Sequence, residues 1–394
     1  MQAEVSILNK QLFRHVEVPG WKLKWDWSGD EVIWSMVGAE ALQQGNCTRI
    51  KSKVLPHSCK KSPEIVDLLL GAPFNLQTTN CCKAGVLSSM KQDPTKYGAT
   101  FRMSVGKSYT GSNIGYLIPK NFNLGLPGYS CGVPHEVQPS RFRSGNGRRW
   151  TEALMSWNVT CTYSQFAAST SPKCCVSMSA FYNETIVPCP WCSCGCQGSQ
   201  GTQCVKDDKA SSLLKLHGEE EGVTSALRCT IHMCPIRVHW HVKVSYKDYW
   251  RVRMTVNNFN YAKNYSQWSL VVQHPNLRSL VQTYSFNYIP LNQYGPINDT
   301  GMFWGIQYYN DMLLQSGDKG NVQTELLFHK DSDMFTFSNG WAFPRKISFN
   351  GDECVMPSPD EYPRLPNGSR SPHPIVRPYM YLLLSFLTLI LLIQ

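Results

Sequence analysis

The stretch RVHWHVKVSYKDYWRVRMTV, residues 237–256, contains the clearest fold signal in the chain. Val238, Trp240 and Val242 alternate with basic and imidazole side chains, and the pattern repeats from Trp250 onward. Successive side chains of a β-strand point to opposite faces of a sheet, so a period of two with one polar face indicates antiparallel strands half exposed to water. The stretch therefore predicts two neighbouring strands separated by a turn.

Similar alternation occurs along most of the chain. It is found in SQWSLVVQH (266–274) and MFTFSNGWAF (334–343), and nearer the N-terminus in FRMSVG (101–106) and WNVTCTY (157–163). Turn-forming Gly and Pro residues separate these stretches, whereas EIVDLLLG (64–71) predicts one short helix. We predict a mainly β chain with two β-sandwich-like domains joined by a disulfide-rich segment.

Composition divides the chain into parts. QGSQGTQ (197–203) and the polar sequence after it are typical of a linker or a long exposed loop. The predicted parts are an N-terminal β domain at 1–188 that ends in the CCVS region, a Cys-rich segment and linker at 189–225, a C-terminal β-sandwich at 226–356 and a C-terminal signal at 357–394.

The cysteines and sequons indicate a secreted glycoprotein. The chain has sixteen cysteines, an even and dispersed set that favours a disulfide framework. The densest cluster contains Cys174, Cys175, Cys189, Cys192, Cys194 and Cys196. The N-x-S/T acceptors are Asn46, Asn158, Asn183, Asn264, Asn298 and Asn367. We expect the clustered cysteines to cross-link a loop-rich junction between the two domains.

Metal and redox chemistry are the alternatives for this cluster. The CxxCxCxC spacing at 189–196 is too compressed for one tetrahedral zinc site, and the charges of Arg237 and Lys243 oppose a cation at His239 and His241. CPWC (189–192) resembles a redox pair but lacks the βαβ context of such a motif. Hydrolase motifs are absent as well. We predict no catalytic residue, no metal and no cofactor.

Both chain ends bear on location. Asn367, Gly368 and Ser369 precede a polar spacer and an uncharged run at 379–393, whose fifteen residues fall short of the roughly 20 that span a membrane. This order is typical of a GPI-attachment signal, with a short tail anchor or an interfacial segment as the alternatives. Met1 is followed by QAEVSILNK, which lacks signal-peptide features, so we expect an incomplete N-terminus that begins inside a strand.

A surface for carbohydrate is the remaining candidate for function. Trp21, Trp25, Trp27 and Trp34 lie close together and are interleaved with charged residues. Indole rings in a row can pack against the apolar faces of sugars, but tryptophans at a period of two also form sandwich cores. Both interpretations stay open on the residues alone.

The net charge of +10 includes the basic patch RFRSGNGRRW at 141–150. In a secreted glycoprotein, such a charge favours acidic polysaccharide or anionic lipid over nucleic acid as a partner, or it serves solubility alone. We therefore predict no nucleic-acid partner.

The CCVS motif at 174–177, with FYNETIVPCPWCSCGC after it, resembles the signature of the plant COBRA-like family of GPI-anchored cell-wall proteins. Other motifs resemble the family in the same order along nearly the whole chain: PGWKLKWDW, EVIWSMVGAE, ALMSWNVTCTYSQF, HMCPIRVHWHVK, YKDYWRVRMTVNNFNY, INDTGMFWG and GWAFPRKISFNGDEC.

The resemblance implies a function and a location. It implies an N-terminal module similar to carbohydrate-binding domains, non-enzymatic association with cellulose that guides microfibril deposition or crystallinity, and a GPI lipid at Asn367 in the outer leaflet of the plasma membrane. Its sugar-contacting aromatics would fall in the stretch 21–34. The alternatives are an adhesion or signalling protein that binds acidic polysaccharide, or a redox protein that uses CPWC. Where the family has adjacent cysteines, PHSCKK has Ser58 beside Cys59, so we expect a bridge to be lost or re-paired.

Overall fold

The structure is a computed structural model. It describes residues 1–363 except 108–116, 145–148, 169–172, 181–185, 191–234, 261–262, 292–298 and 332–341. Within these ranges the chain is mainly β and forms two sandwiches, which confirms the predicted fold class.

The N-terminal sandwich packs a three-stranded sheet, in the order β1-β6-β3, against a four-stranded sheet, in the order β4-β5-β2-β7. Its strands are β1 (Gln2–Leu8), β2 (Lys22–Asp26), β3 (Glu31–Val37), β4 (Ala39–Ala41), β5 (Glu64–Asp67), β6 (Gly98–Lys107) and β7 (Lys120–Asn123). The predicted strand at 101–106 is therefore part of β6, which pairs with β1 on one side and β3 on the other. Inward side chains of both sheets form one core around Trp25, Ile33 and Phe101.

Three short strand pairs follow this sandwich. They are β8 (Tyr129–Cys131) with β13 (Cys161–Tyr163), β9 (His135–Val137) with β12 (Ser156–Asn158), and β10 (Arg141–Ser144) with β11 (Arg149–Glu152). The disulfide Cys131–Cys161 ties the first pair together. The predicted basic patch forms the third pair, in which Arg141 Nε lies 3.3 Å from Glu152 Oε2.

The C-terminal sandwich packs two five-stranded sheets, in the orders β14-β15-β16-β21-β18 and β19-β20-β17-β22-β23. Its strands are β14 (Cys174–Ala180), β15 (Ile236–Ser245), β16 (Tyr249–Asn258), β17 (Leu270–Gln273), β18 (Leu280–Thr283), β19 (Phe286–Leu291), β20 (Thr300–Gly305), β21 (Asn321–His329), β22 (Lys346–Phe349) and β23 (Asp352–Glu353). Val238, Trp240 and Val242 are fully buried, as the alternation in β15 predicts. Short 3₁₀ turns complete the described chain: Phe74–Leu76, Leu277–Ser279, Gln307–Asn310, Met312–Leu314, Gly317–Lys319 and Pro359–Glu361.

Two sequence predictions about elements are wrong. EIVDLLLG does not form a helix, because Glu64–Asp67 is strand β5 between β4 and β2, and the chain leaves the sheet at Leu68. The boundary at 188 is also wrong, because the CCVS strand β14 pairs in parallel with β15 inside the C-terminal sandwich. The N-terminal domain therefore ends before Lys173.

A network of ion pairs joins the two sandwiches. Asp352 Oδ1 lies 2.6 Å from Arg14 Nη1, and its Oδ2 lies 2.6 Å from Lys173 Nζ. Glu17 lies 3.1 Å from Lys173 Nζ and 2.6 Å from Lys263 Nζ. Arg14 and Glu17 belong to the N-terminal sandwich and the other three residues to the C-terminal one, so charge pairing fixes one domain against the other. We call these five residues the interdomain ion network.

The disulfides differ in part from the predicted junction knot. Cys174 pairs with Cys354, and Cys175 pairs with Cys189, so both bridges lie within the C-terminal sandwich rather than between domains. Cys192, Cys194 and Cys196 lie outside the described residues. In the N-terminal sandwich, Cys59 pairs with Cys47, and the adjacent Cys81 and Cys82 pair with each other. Ser58 is buried beside that first bridge and donates a hydrogen bond to the Gln43 carbonyl at 3.1 Å.

None of the described residues belongs to a helix that is long and apolar enough to cross a membrane. The apolar run at 379–393 and the predicted lipid site at Asn367 lie outside the described residues.

Candidate functional site

Three of the four candidate tryptophans belong to the core of the N-terminal sandwich. Trp21, Trp25 and Trp27 are 1%, 2% and 5% exposed. Trp21 stacks on Phe101 of the opposite sheet with a centroid distance of 6.0 Å, and Trp25 meets Trp27 edge to face at 5.4 Å. Such rings offer no face to a polysaccharide, so the prediction that these three form a sugar platform is wrong. In β2, the period of two turns Leu23 and Trp25 inward and Lys22 and Lys24 outward.

Trp34 has a different position because strand β3 is irregular there. The register between β3 and β6 shifts between Ile33 and Ser35, so Trp34 has no partner of its own in the ladder. Such a bulge re-aims a side chain. The indole of Trp34 is half-buried and lies over Gly106, where its Cδ1 is 2.8 Å from the position that a Cβ would take. Because Gly106 alternates with the buried Val105 in β6, this position lies on the outer face of the sheet.

Mainly polar side chains cover the rest of this outer face, together with Val37 opposite Arg102 and Leu8 at the end of β1. Arg102 lies opposite Glu4 and donates a hydrogen bond from Nε to Glu4 Oε2 at 2.7 Å. The hydroxyls of Ser6 and Thr100 lie 3.2 Å apart. Ser104 stands between Gln2 on β1 and Ser35 on β3. We call this surface the Trp34 face, made of Trp34, Gly106, Gln2, Glu4, Ser6, Ser35, Thr100, Arg102 and Ser104.

The Trp34 face has the chemistry of a glycan-binding surface. From Thr100 to Gly106 along β6, it extends about 20 Å at the usual rise of a strand. A half-buried indole on the outer face of a sheet can pack against the apolar face of a sugar ring. The carboxylate, guanidinium and hydroxyl groups beside it can donate to and accept from sugar hydroxyls. The surface therefore combines one stacking group with a row of hydrogen-bonding groups.

The outer face of the other N-terminal sheet lacks an aromatic group among its described residues. It presents Lys22, Lys24 and Asp26 of β2 beside Glu64 and Val66 of β5. Asp26 accepts hydrogen bonds from Ser62 and from Asn121, which lower the pKa of its carboxyl. This face is polar and already paired, so it is the weaker candidate for binding a glucan.

The imidazoles that could have chelated a metal are engaged by serines. His239 Nδ1 lies 2.7 Å from Ser177 Oγ, and His241 Nδ1 lies 2.7 Å from Ser179 Oγ. Burial, helped by nearby Arg237 and His241, lowers the pKa of His239 to about 4, so its ring is neutral at pH 7. In the described part of the chain, no group of three or more His, Cys, Asp and Glu side chains could hold a metal ion.

The remaining predicted positions are the glycan acceptors and the CPWC cysteines. Asn46, Asn158 and Asn264 are exposed, as glycan acceptors must be, whereas Asn183, Asn298 and Asn367 lie outside the described residues. Cys189 of CPWC is bonded to Cys175 and not to Cys192, which removes the pairing that the redox alternative requires.

Sequence reasoning missed most of the Trp34 face. The alternation in FRMSVG could have placed Arg102 and Ser104 outward, because Phe101, Met103 and Val105 alternate with them. No local sequence signal predicts that Trp34 contacts Gly106, since that contact depends on a bulge in another strand.

The comparisons with known proteins agree over nearly the whole chain. The family model of the COBRA N-terminal domain matches residues 1–164, and that of the COBRA family C-terminal domain matches residues 173–363. The chain is 55% identical over 392 residues to COBRA-like protein 2 of Arabidopsis thaliana, which covers 99% of this chain and 88% of that protein. It is 55% identical to COBRA-like protein 1 of Oryza sativa subsp. japonica, with coverage of 98% and 86%, and 52% identical to Protein COBRA of Arabidopsis thaliana, with the same coverage.

Among solved structures, the exo-β-N-acetylglucosaminidase of Vibrio harveyi in complex with N-acetylglucosamine matches 31% of this chain and 18% of its own. The identity is 9% and the TM-score 0.23, which is too low to relate the two folds.

Proposed function

Because the chain belongs to the COBRA family, we propose that it is a non-enzymatic extracellular protein that binds cellulose and guides the deposition or crystallinity of microfibrils. Through that activity it would affect oriented cell expansion or the formation of secondary walls. The protein would be held at the outer face of the plasma membrane by a GPI lipid at Asn367, facing the cell wall.

The observation that supports this function best is the Trp34 face. Trp34 is the one member of the predicted aromatic set that lies outside the core, and it lies at one end of a largely polar sheet surface. A glucan chain is linear, with apolar ring faces and hydroxyl-rich edges. A single stacked indole followed by hydroxyl, carboxylate and guanidinium groups fits both features of such a chain.

The chemistry of the same face supports the proposed non-enzymatic role. Glu4 is the one acid of the defined face, and it forms an ion pair with Arg102. A glycosidase requires two carboxyl groups that flank one glycosidic bond. The residues of the Trp34 face offer binding groups without such a pair.

Co-sedimentation with crystalline cellulose tests the proposal. The purified full chain is compared with Trp34→Ala and with Trp150→Ala, a matched control because Trp150 is 68% exposed on β11, away from the face. We expect the wild type and Trp150→Ala to sediment with cellulose and Trp34→Ala to bind at least about tenfold more weakly, a loss of about 1.4 kcal/mol.

Two results would refute the proposal in different ways. If the wild-type chain stays in the supernatant with both crystalline and amorphous cellulose, glucan binding is wrong. If the wild type binds and folded Trp34→Ala binds equally well, the protein binds cellulose through another surface.

A further inference from the structure

The outer face of the C-terminal sheet has a chemistry that glucan binding does not use. The inward residues of β15 and β16 are buried, and their alternating partners point away from the core. Arg251 and Arg253 of β16 stand between Lys243 of β15 and Glu325 of β21. The register places Arg253 between His241 and Glu325 in one row across the sheet.

Three cations on this face share one carboxylate. Lys243 Nζ lies 2.5 Å and Arg253 Nη2 3.2 Å from Glu325 Oε1, while Arg251 Nη1 lies 3.2 Å from Glu325 Oε2. The hydrogen bond from Lys243 and the neighbouring positive charges lower the pKa of Glu325, so its carboxyl is ionised at pH 7. We call these four residues the basic face.

The basic face has an excess of positive charge and of donors. Three positive charges surround one negative charge, and the neighbouring imidazoles add none, because the pKa values of His239 and His241 are both lowered. Each guanidinium has five N–H donors, of which the contact with Glu325 uses one on each arginine. The three cationic side chains are 29% to 41% exposed, so their donors other than the buried Nε of Arg251 are within reach of a ligand in water.

Glu325 gives this charge a fixed geometry. Because it holds all three cationic groups at once, less side-chain entropy is lost when a second anion binds between them. Arginine is also the side chain best suited to a carboxylate, since its planar fork can donate two parallel hydrogen bonds. The site is therefore preorganised for carboxylate groups presented along an extended chain.

The residues around the basic face indicate which kind of polyanion it binds. A membrane-binding surface combines clustered basic residues, commonly about four to eight, with apolar groups that insert into the lipid. The basic face has three cations, fewer than such a surface uses, and the two apolar side chains opposite Arg251, Val244 and Leu327, are half-buried in the sheet. The ring of Tyr284, 45% exposed at the margin, lies 5.7 Å from the Arg251 guanidinium and can pack against a sugar. Charge complementarity beside an aromatic margin favours a linear acidic glycan.

We propose that the basic face, formed by Lys243, Arg251, Arg253 and Glu325, is a second glycan-binding site, and that its ligand is a linear polysaccharide with a free carboxylate on its sugar residues. This inference does not depend on cellulose binding, because the site lies on the other sandwich and recognises charge. The chain would then contact a neutral glucan through one domain and an acidic matrix polysaccharide through the other.

Affinity electrophoresis or calorimetry of the full chain with unesterified polygalacturonate tests the proposal. We expect the double variant Arg251→Gln/Arg253→Gln to bind at least about tenfold more weakly than the wild type. Glu325→Gln should bind more tightly, because the amide oxygen can still accept from Lys243 and Arg253 and hold them in place while the negative charge that repels the ligand is removed. Fully methyl-esterified polymer, which lacks the charge, should bind weakly to all variants, and wild-type binding should fall as salt is raised.

Arg278→Gln is the matched control, since Arg278 forms an ion pair with Asp331 at the margin of the same sandwich. Its binding should equal that of the wild type. The melting temperature of each variant checks folding, and half-exposed ion pairs of this kind contribute only about 0–1 kcal/mol to stability.

Four results would overturn the proposal. Unchanged binding by the double variant would mean that polygalacturonate binds elsewhere on the protein. Loss of binding by Arg141→Gln would assign polygalacturonate binding to the 141–150 patch. Equal binding of the esterified polymer would remove the role of charge. Binding to vesicles of anionic lipid that depends on Arg251 and Arg253, without binding to polygalacturonate, would make the partner a membrane. Cellulose sedimentation of the double variant should stay intact, so failure here and failure of glucan binding are distinguishable.

Discussion

At the scale of single residues, the position of an indole decides what it does. Trp25 is 2% exposed and packs against Trp27, whereas Trp34 lies on the outer face over Gly106. A buried ring contributes to stability through the apolar surface it removes from water, while a ring on the surface contributes mainly to binding. Replacing Trp25 by Ala should therefore mainly reduce stability, and replacing Trp34 by Ala should mainly reduce binding.

Trp25→Ala should destabilise the chain by about 3–5 kcal/mol because it leaves a large cavity in the N-terminal core. Trp34→Ala should cost less than about 1 kcal/mol, since the side chain is half-buried at a bulge. Urea denaturation followed by circular dichroism measures both. Equal losses of stability would mean that Trp34 is a core residue as well.

Gly106 provides a second test of the same residue. A Cβ at this position would collide with the indole of Trp34, whose contacting atoms are the ring edge rather than backbone. Gly106→Ala should therefore displace the ring, weaken cellulose binding several-fold and leave the fold intact. Binding like that of the wild type, in a variant whose near-ultraviolet spectrum has not changed, would contradict the geometry described for this face.

At the scale of elements, two disulfides hold strand β14 in the C-terminal sandwich. Cys174–Cys354 closes a sequence separation of 180 residues, and Cys175–Cys189 closes one of 14. A cross-link stabilises a protein mainly by restricting the unfolded chain, and the effect grows with the logarithm of the loop length. The longer bridge should contribute more stability.

Replacing Cys174 and Cys354 by Ser should cost about 2 kcal/mol more than replacing Cys175 and Cys189 by Ser. Denaturation midpoints of the two double variants measure the difference. In the same preparations, Cys189 of the wild type should resist alkylation until a reductant is added, because it is bonded to Cys175. Alkylation of Cys189 in the untreated protein would restore the redox alternative.

Sequence patterns predicted strands well and their partners poorly. The alternation in residues 237–256 gives the correct faces of β15 and β16, because strand amphipathicity is a local property. The apolar residues after Glu64 suggested a helix, yet Leu69 and Leu70 are 72% and 81% exposed in a loop. The parallel pairing of β14 with β15 depends on residues far apart in the chain, and no local pattern encodes it. The positions of the four tryptophans also depend on strands that are distant in the sequence. The sequence alone therefore does not predict that three of them lie in the core and the fourth on the surface.

At the scale of the whole molecule, the interdomain ion network should make the domain arrangement sensitive to acid. Burial opposes the ionisation of both Asp352 and Glu17, but nearby cations outweigh it. Lys173 and Arg14 lower the pKa of the Asp352 carboxyl, and Lys173 and Lys263 lower the pKa of the Glu17 carboxyl. His15 lies beside them, fully buried, and neither of its ring nitrogens has a hydrogen-bond partner. Burial, aided by the positive charges of Lys263 and Lys173, lowers the pKa of His15 from 6.5 to about 4.

The sign of the pH dependence follows from these directions. A histidine with a lowered folded-state pKa must be neutral in the folded chain, so the folded state loses stability as the pH falls below 6.5 and until it reaches about 4. The full shift corresponds to about 3 kcal/mol. The carboxylates add a further loss below pH 4, where they are protonated first in the unfolded chain. His15→Gln should reduce the slope between pH 6.5 and 4, and His239 and His241, whose pKa values are also lowered, should account for the slope that remains. Urea midpoints across this range measure it, and an unchanged slope in the variant would contradict the assignment to His15.

Glucan binding at Trp34 is tested most directly by hydroxyl-radical footprinting of the tryptophans with and without cellohexaose, with oxidation measured by mass spectrometry. We expect Trp34 to be oxidised in the free protein and protected by the sugar, Trp150 to be oxidised equally in both, and Trp21, Trp25 and Trp27 to be unreactive in both. Protection of Trp150 without protection of Trp34, or oxidation of the three core tryptophans in the folded free protein, would contradict these expectations.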